Sequence, residues 1–310
     1  MGAGLLRQCV MGVLIAGSAG WTCTGVKAQE QPAELTKATW LVDYNQAMKQ
    51  AEQEGKQLFL FFHHGKDDSA RLTFEEKVLT DAQVEQSLAQ NFVCAKVPVE
   101  AQIRLDGQPL QILAHPAFEP MRRTQGVAVV DLQHRDKPYY GRVTSVYPFR
   151  TGHHITKETL QVLLELPEGT LTQRTMILAV RLHPESPGSA NGAFDPMLAI
   201  EAAKQSHYQA NIGVQGHHQW ESRFHQITAQ LPPDKLAQEV VAESWPGQDL
   251  MEAAFDCVHC WRQSPGHWDA VRTSHSRFGF DIKRGRNGIW YATGLFAQDR
   301  HGPVRNLFRN

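Results

Sequence analysis

Cysteine is scarce in this chain. Its 310 residues include 5, and two of them, Cys9 and Cys23, fall in an N-terminal stretch that has the marks of an export signal. Cys94, Cys257 and Cys260 remain, too few for a disulfide-stapled scaffold, so the fold must rest on apolar cores. Charge of one sign is also lacking. The 31 Lys and Arg against 32 Asp and Glu leave a formal net charge of -1, which supplies no basic field for a nucleic-acid backbone. No apolar run is long enough to span a bilayer, which argues against an integral membrane protein. Two catalytic signatures are missing as well: no Gly-x-Ser-x-Gly nucleophile elbow and no His-Glu-x-x-His helix. What is present, 42% hydrophobic and 20% charged residues, is ordinary for a folded globular protein, and the length has room for two domains.

The first 28 residues read as a signal peptide. Arg7 supplies a short basic region, Cys9 to Ala16 an apolar run, and Val26-Lys27-Ala28 a small-x-small cleavage site. The mature protein is expected to start near Gln29 and to be exported, either periplasmic or secreted.

The next stretch alternates helix and strand signals. Trp40, Tyr44, Ala47 and Ala51 recur at helical spacing, stopped by Gly55. Gln57 to Phe62 suits a buried strand. A polar segment from Lys66 to Arg71 leads into a helix through Val78, and Asp81 caps another that buries Val84 and Leu88. Phe92 to Val97 and Val127 to Leu132 read as two further buried strands, and the order indicates an α/β arrangement around a central sheet. Glu54-Gly55-Lys56, Phe61-Phe62, Val78-Leu79-Thr80-Asp81 and Asn91-Phe92-Val93 together resemble the thioredoxin-like family over a domain at 35–153. In that family a Cys-x-x-Cys pair opens a helix just past the Phe strand, where the helix N-terminus lowers a thiol's pKa. Carried over, the two positions fall on Asp68 and Arg71, and the cis-proline expected after Gly126 is replaced by Val127-Ala128. The resemblance therefore implies the frame without thiol–disulfide exchange. Cys94 reads as a small buried strand residue, and His63 and His64 as a surface pair at a strand end.

A connecting helix and linker at 154–171 lead to a second domain at 172–298, followed by a tail at 299–310. A helix spans about Thr172 to His183, and Asp195-Pro196 is an N-cap followed by an N1 proline for a helix through His207. The spacing of Met251, Ala254, Phe255, Val258 and Trp261 makes another helix, with Pro265-Gly266 as its stop and His267 in the loop leaving it. Arg277 to Ile282 and Gly288 to Phe296 read as paired strands. Cys257-Val258-His259-Cys260 lies mid-helix, and no His follows Cys260, so haem attachment is excluded. A zinc site there would need two more ligands from elsewhere.

The helix leading to Gly216-His217-His218, the Glu in Ala242-Glu243-Ser244, the Trp261-Arg262-Gln263-Ser264-Pro265-Gly266-His267 helix end and the aromatic strand closing on Phe296 resemble, in that order, the CAP superfamily of cysteine-rich secretory, antigen 5 and pathogenesis-related proteins. The resemblance implies an α-β-α sandwich whose cleft is lined by His218, Glu243, His267 and Ser264. His218, Glu243 and His267 would then be ligands for a divalent cation such as zinc or calcium. His217 can take the place of His218, because neighbours on a regular element do not face one cleft. Ser264 stands where many relatives carry an acid, and it weakens the cation set. A Trp beside such a cleft, such as Trp220, Trp245 or Trp290, could stack a sugar ring.

The function expected from these readings is ligand binding outside the cytoplasm: a divalent cation, a lipid or a cell-envelope glycan, with no nucleic-acid partner. Two rivals stand beside it. One is an envelope hydrolase using Glu243 and His267 as acid and base. The other is an adaptor built on the thioredoxin-like frame.

Overall fold

The computed structural model describes residues 37–65, 68–105, 107–150 and 155–300. The expected signal peptide, with Cys9 and Cys23, and the tail beyond Arg300 lie outside the described residues. Among the described residues, no helix is long and apolar enough to cross a membrane.

The chain opens with a short strand β1 (Trp40–Leu41) and helix α1 (Tyr44–Glu54). The sequence places Trp40 in that helix; the structure puts it in a strand. Asp43 is the reason, since its carboxylate accepts the Gln46 N–H and starts the helix at Tyr44, four residues after Trp40. Gly55, at φ 62°, ends the helix in the left-handed conformation. Strand β2 (Gln57–His63) follows, then a short helix α2 (Ser69–Thr73) that runs into a π-helical turn at Phe74–Val78. Helix α3 (Ala82–Asn91) is capped by Asp81 and buries Val84 and Leu88. Next come β3 (Phe92–Pro98), the hairpin β4 (Gln102–Leu105) and β5 (Gln108–Gln111), then β6 (Gly126–Val130) and β7 (Val143–Pro148).

Five of these strands make one sheet in the order β1-β3-β2-β6-β7, and β4 and β5 pair separately. β3 runs parallel to both β1 and β2, while β6 is antiparallel to β2 and β7. The two faces bury separate apolar sets because side chains alternate along each strand: Phe59 and Phe61 on one side, Leu58, Leu60 and Phe62 on the other. Gly126 allows β7 its close approach; a Cβ there would sit 2.3 Å from the Tyr147 carbonyl oxygen.

Helices α4 (Lys157–Leu164) and α5 (Leu171–Arg181) lead to the second half. α5 is buried on nearly all sides, from Gln173 to Val180. Its apolar residues share one cluster with Phe59 and Phe61 of the first sheet and with Phe278 and Phe280 further on. Arg174 is fully enclosed there, and its guanidinium donates to Ser145 Oγ (2.7 Å) and to the carbonyls of Leu166 (3.0 Å) and Pro167 (2.8 Å). Desolvation pulls its pKa down to about 10.

Strand β8 (Ala193–Phe194), the long helix α6 (Pro196–Ile212), helix α7 (Trp220–Thr228), strand β9 (Lys235–Glu243), helices α8 (Leu250–Gln263) and α9 (Pro265–Arg272), and strands β10 (Arg277–Arg284) and β11 (Trp290–Asp299) complete the chain. The second sheet runs β8-β10-β11-β9, with β9 at its edge. Phe280 and Phe296 pack with residues of α5 and α8, whereas Leu295 and Ala297 pack with Leu198 and Ala202 of α6 and Ile227 of α7. The sheet is thus covered on both faces. Gly279 lets α6 lie close to β10, since a Cβ there would meet the Ala199 nitrogen at 2.2 Å.

Candidate functional site

The corner that holds a Cys-x-x-Cys pair in thioredoxin-like proteins is here a polar network. Asp68 caps α2 by accepting the Arg71 N–H at 2.9 Å, and Gln125 donates to the same carboxylate oxygen at 3.0 Å. The Arg71 backbone bond, first among the causes, holds the Asp68 carboxyl below its ordinary range. The Arg71 side chain reaches His63 Nδ1 (2.9 Å) and the His64 carbonyl (3.1 Å), and it pairs with Glu75, which also pairs with Lys96. A carboxylate therefore occupies the helix N-terminus that a thiolate would use. Cys94 offers no substitute: it is buried on β3, and burial pushes its thiol up to about 12.

The second half gathers a different group. β9 carries Glu239 on the same face as Ala237 and Val241, against α7, and its side chain is fully buried. His217 Nδ1 lies 3.0 Å from Glu239 Oε1. The Arg223 guanidinium of α7 is 2.6 Å from Glu239 Oε2, although its angle is wrong for a hydrogen bond and, among the described residues, both groups lack a bonded partner there. The pair is a charge contact rather than a directed bond. On its other side, His217 Nε2 faces His267 Nε2 at 3.2 Å. Burial, then the neighbouring His217, pulls the His267 pKa down to about 4, against a smaller upward pull from Glu239. At neutral pH His267 is therefore an uncharged imidazole. A proton on His217 Nδ1 would be directed at the carboxylate, and the facing Nε2 atoms are close enough to share a proton between them.

His267 is not in a loop, as the helix-stop signal at Pro265-Gly266 suggested. It lies in the first turn of α9, because Ser264 and Pro265 start a new helix where α8 ends. Ser264 is the boundary residue of both helices, and its side chain makes no capping bond. The loop carrying His217 is held from below by buried glutamines. Gln209 Oε1 accepts the Gly216 N–H (3.0 Å) while its Nε2 donates to Thr293 Oγ1 (3.1 Å), and Gln205 donates to the Gly216 carbonyl (2.8 Å).

The other expected site residues lie elsewhere. His218 turns away from His267, with Nε2 3.1 Å from the Val214 carbonyl oxygen and its ring edge-on to Tyr208. Glu243 is exposed at the end of β9. It is four residues beyond Glu239, about 13 Å along a strand, and it is Glu239 that meets His217. Among the described residues, no group of three or more His, Cys, Asp or Glu side chains is placed to hold a metal ion. Cys257 and Cys260 are free thiols on α8. Burial raises both, Cys257 well above the ordinary thiol value. Trp245 is exposed, whereas Trp290 is partly covered and donates to the Gln248 carbonyl at 2.9 Å. Glu239 and Arg223 are the residues the sequence reading missed. The one available signal was a carboxylate inside the apolar run from Ala237 to Ala242.

Residues 39–134 match the family model described as thioredoxin-like. Among curated proteins, no sequence matches the chain. Two solved structures show distant likeness. An outer surface protein from Borrelia burgdorferi is 17% identical, with a TM-score of 0.32 over 47% of this chain and 96% of that one. A DsbH oxidoreductase is 13% identical, with a TM-score of 0.27 over 44% of this chain and 87% of that one. The chain is a mixed α/β protein whose N-terminal part is a thioredoxin-like domain.

Proposed function

We propose that this is an exported ligand-binding protein, in which a thioredoxin-like domain without thiol chemistry precedes a CAP-type module with a two-histidine cleft. The observation that carries the reading is the His217–His267 pair above the buried Glu239. Two Nε2 atoms 3.2 Å apart match the roughly 3.3 Å between nitrogens bound tetrahedrally to one zinc ion. His217 and His267 fit such a cation, and Glu239 fits the role of the carboxylate behind a metal-bound imidazole, fixing its tautomer and raising its basicity. Two protein ligands leave the remaining positions of a bound cation to water or to an anionic group of an envelope ligand, which it would polarise. His218, Glu243 and Ser264, the residues the resemblance first suggested, then have no direct part.

Calorimetric titration of the mature protein with zinc, calcium and magnesium tests this. Zinc is expected to bind one ion per chain. His217→Ala and His267→Ala are each expected to weaken it at least tenfold, about 1.4 kcal/mol, with His218→Ala close to wild type. No binding of any of the three cations, or a loss in the His218 variant alone, overturns the reading. A second reading, hydrolysis, is favoured by the carboxylate 3.0 Å from His217 Nδ1, which orients the opposite nitrogen as a general base. Turnover of a glycan or ester substrate that disappears in Glu239→Gln would select it.

A further inference from the structure

A cavity of about 500 Å³ lies between the loop joining β6 to β7 and helix α6, and neither the fold nor the histidine cleft accounts for it. That volume is within the size range of small-molecule sites. One wall comes from the segment holding Lys137 and Tyr139, another from Glu168, and the third from Phe194, Ile200 and Lys204. It shares no residue with the histidine cleft, so it stands independently of the function proposed above.

Two features define what it can hold. The lining is mostly apolar, and Ile200 at its mouth is half exposed, although α6 has buried residues available on its inner face. A lining of that kind offers apolar surface for a guest's hydrocarbon to lie against, with Ile200 beside it. The charges at the rim give the sign of the guest's polar end. Glu168 is already engaged, by the Tyr139 hydroxyl and by His134 Nε2 at 3.5 Å, and His134 in turn is held by the buried Asp131 at 2.6 Å. Among the described residues, Lys137 and Lys204 form ion pairs only with Asp136 (3.3 Å) and Glu201 (2.6 Å), and the lysine side chains are 38% and 66% exposed. Surface pairs of that kind are worth little and exchange readily for a better partner. The carboxylate at the rim is thus committed to the protein, while the two ammonium groups can turn to a ligand.

We propose that this cavity binds a single-chain amphiphile with an anionic head, the hydrocarbon against Phe194 and Ile200 and the head between Lys137 and Lys204. The shared chemistry is one acyl chain plus one negative group, which a fatty acid or a lysophospholipid could supply.

Calorimetry on the mature protein with dodecanoate, lauroyl lysophosphatidylglycerol and dodecyltrimethylammonium, each below its micellar range, tests the proposal. One of the two anions is expected to bind one per chain, at least about tenfold more tightly than the cation of equal chain length; which anion binds better names the source. Lys204→Glu is expected to remove most of that preference. Ala203→Phe, which narrows the cavity, and Ile200→Asp, a surface change that leaves the fold intact, are each expected to weaken binding by a similar factor. His267→Ala should bind as wild type does. Equal binding of anion and cation, unchanged binding in the Ile200→Asp protein, or no binding of either anion overturns the proposal.

Discussion

Replacing Glu239 by Gln removes a charge and almost no volume, and it strikes the one fully buried carboxylate of the cleft. His217 lies 3.0 Å from it and Arg223 2.6 Å. Breaking a buried ion pair costs about 3–5 kcal/mol when the surviving charge stays enclosed. Here the survivors have an exit, since the Arg223 side chain is 14% exposed and that of His217 41%. The new amide can also still accept from His217. The expected loss is therefore about 2 kcal/mol, roughly a thirtyfold change in the folded-to-unfolded ratio. Urea unfolding at pH 7.5 would show it as a lower midpoint at unchanged slope. The same variant has an electrostatic signature. The Glu239 charge pulls the His267 pKa upward against burial and His217, so its removal should move the His267 titration further below about 4. Imidazole resonances followed by NMR report this directly. A stability change below about 0.5 kcal/mol, or a His267 titration that rises toward the unfolded value, would refute the argument.

Three further outcomes follow from the geometry. As pH falls below 6.5 the unfolded His267 ring takes up a proton, while the folded ring does so only near about 4. The unfolded state therefore binds more protons in that window, and stability that is complete above 6.5 is lost toward 4. The contribution is about 2–3 kcal/mol once the solvent-facing part of the ring is discounted, and a His267→Gln protein with the same acid slope as wild type would contradict it. Ellman's reagent at pH 8 should leave Cys94 and Cys257 untouched in the native protein, react slowly with the half-buried Cys260, and reach all three in urea; fast native labelling of Cys94 would contradict its burial. Asp68→Ala removes the α2 cap and the partner of Gln125, and should cost about 1 kcal/mol by thermal melting, whereas no change in melting would show that the cap is not holding this corner.

The elements with strong punctuation were legible in the sequence: Asp81 and Asp195-Pro196 open helices where expected, and Gly55 closes one. The apolar runs of β2 and β3 were equally plain. β9 was not, because its alternation is interrupted by Gln238 and Glu239, both buried. That interruption is the site itself. Choosing between Glu239 and Glu243, both on one face of the same strand, depends on where α9 delivers His267, which is a tertiary fact. The choice between His217 and His218 depends on how Gln205 and Gln209 hold the preceding Gly216. Adjacent imidazoles in a loop carry no local signal of that kind. Pro265-Gly266 could be read as a stop or as a start, and Pro265 takes the first position of a new helix.

The most direct measurement is zinc titration of the mature protein with all histidine rings followed by NMR. The resonances of His217 and His267 should shift or broaden together and saturate at one ion per chain, while His218 stays in place. A zinc response at His218 instead, or none at either His217 or His267, would contradict the two-histidine cleft.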